Sequence, residues 1–322
     1  MIDRAARRCF VAGHRGLVGS ALVRALEAKG YAAPIIRTRA ELDLLDQRAV
    51  RDFFAKEKPD VVFLAAARVG GIKANSTYRW DFLFENLVIE TNVLGAALDS
   101  GVDRVVFLGS SCIYPRLAPQ PIREDYLLTG ELEPTNEPYA IAKIAGLKLV
   151  EAANSQFGRR WISLMPTNLY GPNDNFDVES AHVLPALIRK FHEAKESRDA
   201  NAKAVATLWG SGTARREFLH VDDAAAAALM MMESGLTGLY NVGSGTDLAI
   251  RELAELVARV VGYDGPVEWD SSKPDGTPRK LMDSTRILAH GWTPRIALED
   301  GIRSTYEWFL DSRLREPARL AV

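Results

Sequence analysis

Three residues in the middle of the chain have the types and spacing of a proton-transfer set: Ser110, Tyr139 and Lys143. Of nine tyrosines, only Tyr139 has a lysine four residues on, which on a helix puts both side chains on one face. Pro138 just before it suits a helix start. An ammonium beside a phenol stabilises the phenolate and lowers its pKa, making Tyr139 a usable proton donor to a carbonyl oxygen near neutral pH. Ser110, Ser111 and Cys112 follow an apolar run of strand type; if the chain stays extended there, Ser110 and Cys112 face the same side. The Ser110 hydroxyl can then share the carbonyl oxygen with Tyr139. Singly, a YxxxK spacing arises by chance and a serine pair caps a turn. Their order along one chain is what points to carbonyl chemistry.

A second constellation lies nearer the start: Gly13-His14-Arg15-Gly16-Leu17-Val18-Gly19, a GxxGxxG pattern leading straight into an amphipathic stretch. Glycines there permit a tight turn and close approach of backbone to a pyrophosphate, which the helix N-terminus favours. A plain strand-to-helix turn is the bland alternative. At the end of the second apolar run stands Arg37-Thr38-Arg39, where a site for NAD offers an acidic residue to the ribose. Arg39, joined by Arg15, suits a 2′-phosphate, so NADP is expected over NAD, with nearby Glu41 the one feature pulling the other way.

These groups need elements to position them. Residues 8–12, 34–38, 60–65, 104–109 and 161–165 are continuous apolar runs of buried-strand type, and 17–29, 47–56, 82–99 and 139–157 carry apolar residues at helical spacing. Strands buried on both faces and separated by helices imply right-handed βαβ units in a parallel sheet. The predicted fold is α/β, a Rossmann-type doubly wound parallel sheet, with ligands at its carboxyl edge. Beyond residue 168 loop-rich segments alternate with helical ones at 183–196, 223–233, 251–261 and 298–310. We therefore expect a dinucleotide-binding domain over residues 1–168 and a smaller C-terminal substrate-binding lobe over 169–322, some of whose segments return to the first domain.

Composition excludes several classes. Forty Lys and Arg against 42 Asp and Glu leave a net charge of −2, without the basic footprint of a nucleic-acid binder. The longest apolar stretch, residues 224–232, is far shorter than the roughly 20 residues of a membrane helix. Two cysteines, Cys9 and Cys112, are too few for a disulfide framework and suit a reducing, cytoplasmic compartment. No histidine has metal-ligand spacing with a cysteine or carboxylate, so no metal is expected.

With these residues in view, the sequence resembles the extended short-chain dehydrogenase/reductase family that acts on nucleotide sugars. The closer match runs through Gly13 to Gly16, Ala66 to Ile72 (AARVGGI), Leu108 to Pro115 (LGSSCIYP), Glu133 to Lys143 (EPTNEPYAIAK), Met165 to Pro172 (MPTNLYGP), Arg216 to Asp223 (REFLHVDD) and Lys273 to Lys280 (KPDGTPRK). The resemblance implies a 4-keto sugar on GDP that is epimerised at C3 and C5 and then reduced at C4 with NADPH. It gives Cys112 the role of base and His182 that of acid, with Tyr139, Lys143 and Ser110 serving the reduction. It also implies cofactor contacts at Asp43, Leu44, Leu108, Tyr139, Lys143, Pro166, Asn168, Leu169 and His182, and nucleotide-sugar contacts at Lys190, Trp209, Arg216, Asp275 and Lys280. Lysine at 190 offers a point charge where arginine would offer a fork.

Family likeness further implies a homodimer packed as a four-helix bundle from 82–99 and 139–157, with Leu87, Leu94, Leu147 and Val150 as contributors. No nucleic-acid or membrane partner is expected. Two alternatives stay open at this point: another nucleotide-sugar 4-epimerase or 4,6-dehydratase, and a non-catalytic dinucleotide sensor. A 4,6-dehydratase would place an acidic pair after the serine, where this chain has Ser111-Cys112-Ile113.

Overall fold

Period-two alternation within short buried strands builds the first layer. In the computed structural model, which describes residues 4–177, 180–200, 204–273 and 275–319, β1 (Cys9–Ala12) leads into α1 (Leu17–Ala28) and α2 (Gln47–Glu57). Next come β2 (Val61–Leu64), α3 (Ile72–Thr77), α4 (Arg79–Asp99), β3 (Arg104–Leu108), α5 (Glu137–Phe157) and β4 (Ile162–Pro166). Phe10, Ala12, Val62, Leu64, Val105 and Phe107 face one way, onto α2, α4 and α5. Cys9, Val11, Val61, Phe63, Val106 and Leu108 face the other, onto α1 and a helix from the second half. Both faces are covered, as the unbroken apolar runs require.

The second half supplies β5 (Asn168–Tyr170), α6 (Val183–Ala200), β6 (Ala206–Trp209), β7 (Arg215–His220), α7 (Val221–Ser234) and β8 (Gly238–Val242). It ends with β9 (Asp247–Ala249), α8 (Ile250–Val261), β10 (Val267–Asp270), β11 (Arg279–Lys280), α9 (Thr285–Leu288) and α10 (Leu298–Arg319). The main sheet runs β1-β2-β3-β4-β8, all parallel. Thus α7 and β8 return to the first layer: Ala224, Ala225, Ala227 and Ala228 bury against the sheet, where small side chains allow close helix approach. A separate core under α6, α8 and α10 holds Leu187, Phe191, Leu208, Val257 and Ile302.

The expected strand at 34–38 contracts to a single bridge, Ile35 with Phe10. Pro34 has no amide to donate, the Thr38 amide donates to the Glu41 carboxylate, and the Arg37 guanidinium turns to Glu57. Ile35 nonetheless flanks β1 on the side away from β2, so the chain reverses direction across the sheet at β1. That switch point is where open α/β sheets bind ligands. Among the described residues no helix is long and apolar enough to cross a membrane.

Candidate active site

Every strand of the main sheet ends in a loop at one edge, and the residues singled out for chemistry collect there. After β1, Gly13 takes a φ of +86°, and a Cβ would meet the Ala66 backbone at 2.8 Å. A Cβ on Gly19 would stand 2.1 Å from the Gly13 carbonyl oxygen. Only glycine fits at either position. Gly16 caps α1 without a side chain, and the first turn of α1 holds no acidic residue. His14, Leu17 and Val18 are half-buried around this loop and Arg15 is exposed. The result is a backbone cradle on a helix N-terminus, which fits a dinucleotide pyrophosphate.

At the rim, the Arg39 side chain is 72% exposed and 3.8 Å from Asp43. Asp43 also accepts the Leu45 amide, and the Leu44 carbonyl accepts from Asn92. Glu41, the feature that argued for NAD, accepts both the amide and the hydroxyl of Thr38 at 2.7 and 2.8 Å. Those bonds, both to Oε2, hold its proton affinity below the ordinary carboxylate value and tie the side chain down to its own loop. Leu108 and Pro166 are the buried last residues of β3 and β4, and Asn168 and Leu169 open β5.

After β3 the chain does not stay extended. Residues Ser111–Ile113 form a 3-10 turn capped by the Ser110 hydroxyl, which accepts the Cys112 amide at 3.4 Å. Ser110 and Cys112 still meet, because the turn folds the thiol back to donate to the Ser110 oxygen at 3.1 Å. Burial raises the thiol's pKa, opposed most by Lys280 and then by Ser110 and Lys143. The sequence reading gave Lys280 to the nucleotide sugar. In the structure it is also the cation that most strongly favours a Cys112 thiolate, and burial lowers its own proton affinity.

Tyr139 lies in the first turn of α5, with Pro138 just before it. Its pKa lies well above the ordinary phenol value through burial first, then the charges of Cys112 and Glu90, with Ser110 opposing. This corrects the expectation that Lys143 lowers it. The Lys143 ammonium sits 5.9 Å from the Tyr139 ring centroid, but it is paired at 3.1 Å with Glu90 on α4. The phenol therefore keeps its proton, which suits a donor.

One cleft of about 370 Å³ opens onto Ser110, Cys112, Tyr139 and His182, and onto Lys190, Trp209, Arg216, Asp275 and Lys280 from the second lobe. His182 is exposed and lines this cleft, and the protein crowding it disfavours its protonation. The Lys190 ammonium donates to the Thr207 carbonyl and lies 5.1 Å from the half-exposed Trp209 ring. Arg216 donates to the Asp275 carbonyl, and the Asp275 carboxylate accepts from the amide and hydroxyl of Ser211. Asp275 thus ties two loops together beneath the cleft. Pro274, inside the KPDGTPRK motif, lies outside the described residues.

Sequence reading missed two carboxylates. Glu133 lines the cleft, and its charge acts on both Arg216 and Lys280. In the sequence it is simply the first residue of EPTNEPYAIAK. Glu217, fully buried on β7, accepts from the amides of Gly245 and Met282 and so anchors the segment that carries Lys280. Nothing in a hydrophobic pattern marks either one. The dimer contributors also need correction: Leu94, Leu147 and Val150 are buried in the chain's own core, which leaves only Leu87 half-exposed.

Residues 9–243 match the profile of the NAD dependent epimerase/dehydratase family. GDP-L-fucose synthase of Escherichia coli strain K12 is 56% identical over 319 residues, covering 96% of this chain and 98% of that protein. A solved GDP-L-fucose synthetase of Naegleria fowleri bound to NADP superposes with a TM-score of 0.88 at 27% identity, over 98% of this chain and 97% of that one. A GDP-6-OMe-4-keto-L-xylo-heptose reductase from C. jejuni gives a TM-score of 0.89 at 37% identity, over 95% and 98%. Glycine cradle, proton-transfer set and profile agree, and the chain belongs to the NAD dependent epimerase/dehydratase family.

Proposed function

We propose that this chain is a bifunctional NADPH-dependent enzyme that inverts C3 and C5 of GDP-4-keto-6-deoxy-D-mannose and then reduces C4, giving GDP-L-fucose. A ketone at C4 acidifies the protons on both of its neighbouring carbons, C3 and C5, so one base and one acid on opposite faces can invert each centre. Cys112 is the base and His182 the acid. Bound NADPH supplies hydride to C4. Tyr139 then protonates the forming alkoxide, with Ser110 holding that oxygen and Lys143 behind the phenol. Residues 1–168 hold the cofactor and the chain from 169 holds the sugar nucleotide, save for the helix and strand that return to the main sheet. Lys190, Arg216 and Lys280 supply positive charge for the diphosphate, and Trp209 a flat wall.

The observation that carries this reading is the 3.1 Å contact between the Cys112 thiol and Ser110, in one cleft with Tyr139 and His182. A plain 4-reductase needs no thiol there, and a dehydratase needs a carboxylate. The identity to the E. coli synthase supports the same substrate. The test is NADPH oxidation by the purified protein: GDP-4-keto-6-deoxymannose is consumed and GDP-mannose is not. No oxidation with the ketone overturns the reading.

Arg39 and Arg15 carry the cofactor preference. Exchanging Arg39 for alanine removes a charge-assisted contact to the 2′-phosphate, which weakens NADPH binding about 10- to 100-fold. NADH binding stays within about threefold. Fluorescence titration of both cofactors checks this, and an equal loss for both would assign Arg39 to the shared part of the dinucleotide.

We further infer a cytoplasmic homodimer built on the outer face of α4 and α5. Trp80 and Phe84 stack on α4 with ring centroids 5.6 Å apart, and Ile141 and Leu149 are exposed on α5. These residues replace the buried leucines as the apolar material of a bundle.

A further inference from the structure

We propose that Glu90, which has no part in the roles above, is a positioning residue for the reduction: its carboxylate holds the Lys143 ammonium behind Tyr139 and sets how firmly the phenol keeps its proton. The inference rests on the reading of Tyr139 and Lys143 just given.

Glu90 lies on α4 and Lys143 on α5, Oε1 to Nζ at 3.1 Å, each residue 1% exposed. A carboxylate on the buried face of a helix is costly unless it is compensated. Neither Glu90 oxygen has an aligned hydrogen-bond donor, so the ion pair is its compensation. The fold makes room for it. Gly146 sits in the middle of α5, where glycine weakens a helix, and a Cβ there would come within 2.5 Å of Glu90 Oε2 and 2.6 Å of the Phe107 ring. Alanine, the better helix former, is shut out by the carboxylate and the ring together.

The Lys143 ammonium therefore sits among three groups: Glu90, the Phe107 ring with its centroid at 4.9 Å, and the Tyr139 ring at 5.9 Å. Facing the pair are Tyr139 from α5 and, past it, Cys112 from the turn after β3. Opposite charges so close largely cancel at the phenol. Burial holds the proton affinity of Glu90 above the ordinary carboxylate value, with Lys143 opposing, and the phenol stays protonated beside a pair that is neutral overall.

Glu90→Gln keeps the volume and removes the charge. The phenol then faces an unbalanced cation, which favours its phenolate. That displaces the alkaline limb of the reduction to lower pH. That limb is expected to fall by about 1–3 pH units, while the NADPH dissociation constant stays within about threefold. A 13C-tyrosine NMR titration, with the Tyr139 signal assigned by Tyr139→Phe, follows the phenol directly. Glu90→Asp, which keeps the charge, returns the limb toward its wild-type position. An unmoved limb in Glu90→Gln, or a limb equally displaced in Glu90→Asp, overturns the proposal.

Should Glu90→Gln fail to fold, Glu90→Met, which removes the charge while keeping an unbranched side chain of similar volume, is expected to lower the limb likewise; an unmoved limb there overturns the proposal too. If Tyr139→Phe and Lys143→Met reduce the ketone at the wild-type rate, the reading of the site itself falls. If they lose activity while the Glu90→Gln limb stays in place, only the role of Glu90 falls.

Discussion

Cys112→Ser is expected to lose solvent deuterium incorporation at C3 and C5 by about 10²- to 10⁴-fold, the usual worth of a positioned base, with NADPH binding unchanged. A serine hydroxyl fills the same turn and keeps contact with Ser110, so the loss reports proton abstraction. Intact exchange in this variant would remove Cys112 from the base role. The directions of the two shifts also fix the pH dependence. Burial raises the thiol and lowers His182, so the thiolate with imidazolium is a minor form of the pair. Between the two pKa values its share is constant. Below the His182 value the thiolate is lost, and above the thiol value the imidazolium is lost. The exchange rate should therefore show a broad plateau falling at both ends, its acid edge below the ordinary imidazole value and its alkaline edge above the ordinary thiol value. Lys280→Met, which removes the strongest pull on the thiol, should lower that plateau without moving the acid edge.

Tyr139→Phe is expected to slow the reduction by about 10²- to 10⁴-fold while leaving deuterium exchange in place, so that an epimerised ketone accumulates. Only the hydroxyl is lost, and the ring keeps its edge against Phe82 at 6.3 Å. Because the phenol is held well above its ordinary value, the wild-type reduction should be flat through neutral pH and fall only in strong alkali. Stopped-flow absorbance at the NADPH band, read beside exchange by mass spectrometry, separates the two steps. Loss of both together would make Tyr139 a group that binds the sugar rather than one that protonates it.

Much of this was legible in the residues. Apolar runs buried on both faces announced a parallel sheet, because a strand with no polar side needs helices on each face. The glycine loop was readable because two of its positions admit nothing else. The meeting of Tyr139 and Lys143 on one helix was readable because helical spacing fixes which side chains share a face. What stayed hidden depended on contacts between distant segments. Pro34 and the Thr38 to Glu41 bonds reduced a strand to one bridge. The Ser110 cap brought Cys112 back by a turn where extended chain was expected. The sign of the shift at Tyr139 came from burial first, then from the charges of Cys112 and of Glu90, 49 residues upstream on another helix, and no local pattern ties these together. Leu94, Leu147 and Val150 looked like interface leucines and valine only because helical spacing cannot say which of two apolar faces is the inner one.

The most direct test of the account is the identity of the product formed in deuterium oxide from GDP-4-keto-6-deoxymannose and NADPH, read by NMR. The expected product is GDP-L-fucose with solvent deuterium at C3 and C5 and none at C4. A 4-reduced sugar that keeps the manno configuration and protium at C3 and C5 would contradict it.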